Sequence, residues 1–131
     1  ILKEAVAGRK LIRATAYVIK TENEEGHALF EALSLQGFEV KMKDLQIFAG
    51  GAKKADWDVG ISVDAIKLGE KLDVIILVTG DGDYVPLVNY LQNTQGCLVE
   101  VMAFRQTASS KLIEEADDFI NLSEDKKYLL R

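Results

Sequence analysis

The chain has 131 residues, the length of one domain with a core of its own. Its composition, 48% hydrophobic and 28% charged, is typical of globular proteins, and no apolar run approaches the roughly 18 residues of a membrane-spanning helix. The net charge of −5 excludes a general nucleic-acid-coating surface, but not an enzyme that meets nucleic acid at one site through bound cations. Because no secretory signal is visible and Cys97 has no partner for an internal disulfide, we expect a cytoplasmic protein with Cys97 in its core.

Strand and helix patterns alternate along the first half of the chain. They predict, in order, the end of a helix over 1–6, a strand over 10–19, a helix between Asn23 and Gly37, and a strand over 38–42 that extends or repeats through Phe48. Asn23 is a candidate N-cap, and Gly37 is placed to end the helix. A polar, glycine-bearing loop then leads to Lys54.

The second half of the chain continues the alternation with stronger patterns. The predicted elements are a helix over about 56–70, strands over 73–78, 98–104 and 119–122, helices over 84–94 and 109–116, and a polar tail over 123–131. Two apolar lines on the first of these helices predict a wide face packed on a sheet: Val59, Val63 and Ile66, and Ile61, Ala65 and Leu68. The unbroken apolar strand 73–78 predicts a central parallel strand. Together these patterns predict one α/β domain over residues 1–131.

The most polar strand end in the sequence follows Val78, where Thr79-Gly80-Asp81-Gly82-Asp83 begins. Ligands of open parallel sheets bind beyond the carboxyl ends of the strands. Two carboxylates in a glycine-rich turn offer the oxygen ligands that Mg²⁺ or Mn²⁺ prefers. The alternative is that Asp81 is a turn residue and Asp83 an N-cap, with no metal bound.

A second acidic group lies on the predicted helix over 56–70. Asp58 is near the start of this helix, where a carboxylate fits either the helix dipole or metal coordination. Asp64 lies six positions further and therefore on another face, so it is the weaker metal-ligand candidate. A hydrogen bond from a neighbouring loop would explain Asp64 equally well.

These segments carry a resemblance to a known family. The stretches Lys54-Ala55-Asp56-Trp57-Asp58-Val59, Val63-Asp64-Ala65 and Leu77 to Leu87, with Ser110-Lys111-Leu112 and Ala116 to Ile120 near the end, resemble the NYN domain. This group includes the LabA-like proteins and belongs to the PIN-like nuclease superfamily. The resemblance implies a Rossmann-like (PIN-like) three-layer sandwich, with a mainly parallel central sheet and helices on both faces.

The resemblance also implies a function. Asp58, Asp81 and Asp83 would form a catalytic metal centre in which Mg²⁺ or Mn²⁺ activates water to cleave a phosphodiester, usually in RNA. Thr79 would hold a carboxylate or a water in place. Lys54 would meet a substrate phosphate or else remain a solvated lysine. Ser110 lies near a predicted helix start that can bind phosphate, unless the neighbouring Ser109 is simply an N-cap.

The sequence departs from the family pattern at its start. The family's first strand ends in an Asp that joins the acidic cluster, and this strand would precede the helix that begins the chain. We therefore expect such a strand before Ile1; a divergent domain without that Asp is the alternative. A non-catalytic RNA-binding or regulatory LabA-like module remains the rival function. PIN-like domains often pair, which leaves a homodimer open.

Overall fold

The computed structural model describes residues 2–20, 25–44, 46–47, 53–54 and 57–124. Its helices are α1 (Leu2–Val6), α2 (Glu25–Leu35), α3 (Asp58–Gly69), α4 (Val85–Asn93) and α5 (Ser110–Glu115). Its strands are β1 (Thr15–Lys20), β2 (Glu39–Asp44), β3 (Gln46–Ile47), β4 (Lys53–Lys54), β5 (Val74–Val78), β6 (Leu98–Ala103) and β7 (Asp118–Asn121). Short 3-10 helices occupy Gly82–Tyr84 and Leu122–Glu124.

The chain divides into two compact units, residues 1–58 and 59–131. The division falls inside the first turn of α3, between Asp58 and Val59. The fold class is α/β with parallel strand pairs and intervening helices, as the sequence predicts. A single domain over 1–131 and a tail over 123–131 stay predictions, and residues 125–131 lie outside the described residues.

The first unit contains a parallel pair, β1 and β2, connected through α2. The register pairs Thr15 with Glu39 and Lys20 with Asp44. The loop after α2 turns at Gly37, whose φ of +100° is readily available to glycine. β3 and β4 form an antiparallel pair, so the last two residues of the predicted loop, Lys53–Lys54, are a strand. Phe48, predicted as strand, and residues 49–52 of the loop lie outside the described residues.

The first predicted strand is shorter than expected. Residues 10–14 are not part of it, and strand structure begins at Thr15. The reason is pairing, because β2 begins at Glu39 and offers no residue opposite the earlier segment. Lys10 to Arg13 are exposed instead. The apolar and β-branched residues predicted a strand correctly, but the first residue of β1 is determined by where its partner β2 begins.

The second unit contains the three-stranded parallel sheet β5-β6-β7. Its core consists of Leu77, Tyr84, Leu87, Val88, Leu91, Cys97, Val99, Val101 and Leu112. The prediction that β5 is the central strand is wrong for this sheet: among the described strands, β5 pairs with β6 alone, and β6 lies between β5 and β7. An apolar strand sequence predicts that the strand is buried, whereas its position in the sheet depends on whether one or both of its edges pair with another strand.

Helix α3 packs on this core through two residues of its second apolar line and one residue of its first. Ile61, Ala65 and Ile66 contact the core cluster. Val59 and Val63 are exposed, at 75% and 47% of their surface. The expected wide buried face is therefore narrower than the sequence predicts, because only one side of the helix meets the sheet.

Cys97 is a buried core residue, as the sequence predicts. Its thiol donates hydrogen bonds to the carbonyl oxygens of Gly69 and Leu72, at 3.3 and 3.4 Å. Burial raises the pKa of the Cys97 thiol, and the negative charge of Asp73 adds to this effect. The group therefore remains a protonated thiol at neutral pH and behaves as a small apolar residue.

Candidate functional site

The loop that follows β5 holds its two aspartates through local hydrogen bonds. Asp81 is the N-cap of the 3-10 helix Gly82–Tyr84, and its Oδ1 accepts the backbone N–H of Asp83 at 2.8 Å. The Thr79 hydroxyl oxygen accepts the backbone N–H of Asp81 at 3.2 Å. Both carboxylates are exposed. The predicted turn role of Asp81 is thus present, and it uses one of the two carboxylate oxygens.

The glycines of this loop allow a second loop to lie directly against it. The backbone N–H of Ser109, just before α5, donates to the Gly80 carbonyl at 2.8 Å. A Cβ on Gly80 would lie 3.0 Å from the Cα of Ala108, and a Cβ on Gly82 would lie 2.8 Å from the Ser109 hydroxyl oxygen. The close approach of the loops after β5 and β6 requires residues without side chains at these two positions.

Gly82→Ala is expected to lower the free energy of unfolding by about 1–2 kcal/mol. The new methyl group would displace the Ser109 hydroxyl, which caps α5 by accepting the Leu112 N–H. Urea denaturation measures the change. In a Ser109→Ala background the closest clashing atom is gone, so the cost of Gly82→Ala should fall. An unchanged cost in that background would show that this contact is not the cause.

Asp58 enters the site from the start of α3. It is the first residue of that helix, so the helix that packs on the β5-β6-β7 sheet fixes its backbone. Asp58, Asp81 and Asp83 each offer a carboxylate oxygen, and these three oxygens lie within 4.8 Å of one another. Asp58, which is distant in sequence, therefore lies with its predicted partners Asp81 and Asp83 at the end of β5.

The donor set fits a hard divalent cation. Two Mg–O bonds of about 2.1 Å span at most about 4.2 Å, so small side-chain rotations would bring oxygens within 4.8 Å into a shared coordination shell. Three ionised carboxylates this close repel one another, and a cation between them offsets that repulsion. Asp58 is half-buried, whereas Asp81 and Asp83 are open to solvent, which leaves room for water ligands.

The other predicted site residues lie apart from this cluster. Asp64 lies further along α3 and does not belong to it. Ser110 is the exposed first residue of α5, and the capping serine is Ser109, the alternative that the sequence left open. Lys54 belongs to β4, but its side chain lies outside the described part of the chain.

Comparison with known proteins decides the family. The family model of the NYN domain matches residues 1–123. The chain belongs to the NYN domain family. This confirms the resemblance and places the protein in the PIN-like superfamily, while membership of the LabA-like group stays a prediction.

One solved structure resembles this NYN domain closely. It is the crystal structure of a protein of unknown function from Vibrio parahaemolyticus RIMD 2210633. The two are 35% identical with a TM-score of 0.85, and the match covers 96% of this chain and 78% of that chain. A search of curated proteins finds no match. The structural similarity supports the PIN-like fold and adds no information on activity.

None of the helices in the described part of the NYN domain is long and apolar enough to cross a membrane. This agrees with the absence of a long apolar run in the sequence.

Proposed function

We propose that this NYN domain is a metal-dependent nuclease that hydrolyses phosphodiester bonds in RNA, at the centre formed by Asp58, Asp81 and Asp83. The observation that carries the proposal is the convergence of their three carboxylate oxygens within 4.8 Å. Membership of the NYN family supports it independently, because the family belongs to a nuclease superfamily.

Each residue of the centre has a role set by its position. The three carboxylates hold Mg²⁺ or Mn²⁺, and Thr79 fixes the Asp81 backbone so that the carboxylate keeps its place. When bound, such a cation activates water and offsets the negative charge that develops on the phosphate. Solvent exposure of Asp81 and Asp83 gives a polynucleotide access without opening the fold.

The net charge of −5 is compatible with this chemistry. An acidic protein gains little affinity from a general attraction to phosphate, so a cation held by Asp58, Asp81 and Asp83 would supply the positive charge that attracts the substrate. The predicted phosphate contacts at Lys54 and Ser110 belong to the same proposal.

The decisive experiment is cleavage of end-labelled single-stranded RNA with Mn²⁺, with Mg²⁺ and with EDTA. We expect cleavage with either metal and none in EDTA. A variant carrying Asp81→Asn and Asp83→Asn, purified in parallel, should be inactive under all three conditions, which excludes a contaminating ribonuclease. RNA binding that persists in EDTA and in this variant, with no cleavage by the intact protein, would instead establish the non-catalytic RNA-binding module.

A further inference from the structure

A cluster of aromatic and basic side chains lies on the β1-β2 sheet of the first unit. Tyr17 on β1 is opposite Lys41 on β2 in the strand register. Side chains alternate along a strand, so Lys43 faces the same side of the sheet as Lys41. The Trp57 ring meets the Tyr17 ring edge-on, with centroids 5.2 Å apart and an angle of 60°. We call these four residues the aromatic–lysine cluster.

The two aromatic rings of this cluster are held in place. The indole N–H of Trp57 donates to the carbonyl oxygen of Val18 at 3.0 Å, which fixes one edge of the ring. The rings of Tyr17 and Trp57 are half-buried. A ring fixed by a hydrogen bond and an aromatic neighbour loses little conformational entropy when a ligand stacks on it.

The lysines extend over these rings from an exposed strand. The Lys43 ammonium lies 5.1 Å from the centroid of the Trp57 ring, and the Lys41 ammonium lies 6.0 Å from that of Tyr17. Both lysines are exposed. Lys43 can leave the face of the Trp57 ring at small cost, since surface cation–π contacts contribute only about 0.5–1 kcal/mol.

Among the described residues of β2, the charged side chains on this sheet face are Glu39, Lys41 and Lys43. Glu39 lies one alternation before Lys41 and forms an ion pair with Arg13 at 3.3 Å. The positive charge of Arg13 therefore offsets the negative charge of Glu39, the carboxylate beside Lys41 on this face. Aromatic rings beside lysines are the combination that binds bases by stacking and phosphates by charge.

We propose that the aromatic–lysine cluster binds single-stranded nucleic acid, with a base stacked on Trp57 and phosphates held by Lys41 and Lys43. The inference rests on the proposed function, since it assigns the surface that holds the strand to be cut. Trp57 immediately precedes Asp58 in the chain. The cluster therefore includes the residue next to Asp58, the first carboxylate of the proposed centre.

Trp57 is the only tryptophan in the protein, so its fluorescence reports on this surface directly. The experiment is titration with oligouridylate and, separately, oligothymidylate in EDTA, where the proposed cleavage cannot occur. Saturable quenching by either strand supports the proposal. No change in fluorescence with both strands would overturn it.

Charge-removing variants test the lysines by anisotropy of a labelled strand. Lys43→Gln and Lys41→Gln should each weaken binding about three- to tenfold and reduce the slope of log affinity against log salt by about 0.7. The control is Lys71→Gln, which removes the same charge from an exposed turn after α3 and should leave affinity and slope unchanged. Equal effects of all three substitutions would indicate general charge attraction and contradict the proposal.

Substitution of the ring tests stacking. Trp57→Leu should weaken binding about tenfold, and Trp57→Phe, which keeps an aromatic face, should recover part of the loss. Equal binding by the Leu and Phe variants would contradict the stacking role. Because binding is measured without metal, the cluster can bind a strand even if the protein does not cleave RNA. Conversely, the protein can cleave RNA even if these variants bind as tightly as the wild-type protein. The proposed function and this inference therefore fail separately.

Discussion

Asp81→Asn is expected to lower the rate of metal-dependent RNA cleavage by roughly 100- to 1,000-fold, the equivalent of several kcal/mol of barrier. The substitution removes one negative charge from three carboxylates whose oxygens lie within 4.8 Å of one another. It keeps the fold, because the asparagine side-chain oxygen can still accept the Asp83 N–H that Asp81 accepts at 2.8 Å. Single-turnover cleavage of labelled RNA with saturating Mn²⁺ measures the change.

Asp81→Ala separates the ligand role from the capping role. Alanine loses both the charge and the cap, so this variant should lose about 1 kcal/mol of stability in addition to its activity. Asp81→Asn should unfold close to the wild-type midpoint. If the asparagine variant cleaves RNA as fast as the wild-type protein, Asp81 is a turn residue only, and the metal centre as proposed is wrong.

Mn²⁺ is expected to raise the Tm of the protein by roughly 10 °C when its free concentration is about 100 times Kd. Binding to the folded state alone contributes about 2.7 kcal/mol at that ratio, and a domain of this size gains a few degrees per kcal/mol. The cation also relieves the repulsion among Asp58, Asp81 and Asp83. Differential scanning fluorimetry with Mn²⁺ against EDTA measures the shift.

Two single substitutions test whether the Mn²⁺-dependent rise in Tm comes from the three-aspartate cluster. Asp83→Asn should abolish most of the Mn²⁺-dependent shift, yet in EDTA it should melt at or above the wild-type Tm, since one of three repelling charges is gone. Asp64→Asn removes the same charge from a carboxylate outside the cluster, so the shift should remain. A shift lost equally in both variants would mean that the metal binds elsewhere.

Local sequence patterns anticipated most of the elements for identifiable reasons. The apolar run 74–78 became β5, and the helix before it became α3 within two residues at its start and one at its end. The predicted glycine-rich turn follows β5, and Asp81 caps the short 3-10 helix that begins in it. These features depend on residues close in the chain, so a single sequence contains the information.

The aromatic–lysine cluster shows what a linear reading misses. In the sequence, a tryptophan next to Asp58 is more often a packing residue than a surface for stacking bases. The local sequence pattern that points to this surface is the alternation of Lys41 and Lys43 on a predicted strand. Tyr17 and Trp57 are forty positions apart in the chain, and only the parallel pairing of β1 with β2 places Lys41 beside Tyr17. Which rings and charges share a face depends on strand register.

By itself, the sequence determined the α/β class, the order of its elements and three aspartates with the chemistry of metal ligands. The tertiary structure decided that these aspartates converge, that β6 rather than β5 is central in its sheet, and that Ser109 caps α5. This difference between what the sequence and the tertiary structure determine has one physical cause. Propensity, capping and turn formation act between near neighbours, whereas convergence and strand order depend on pairings between distant segments.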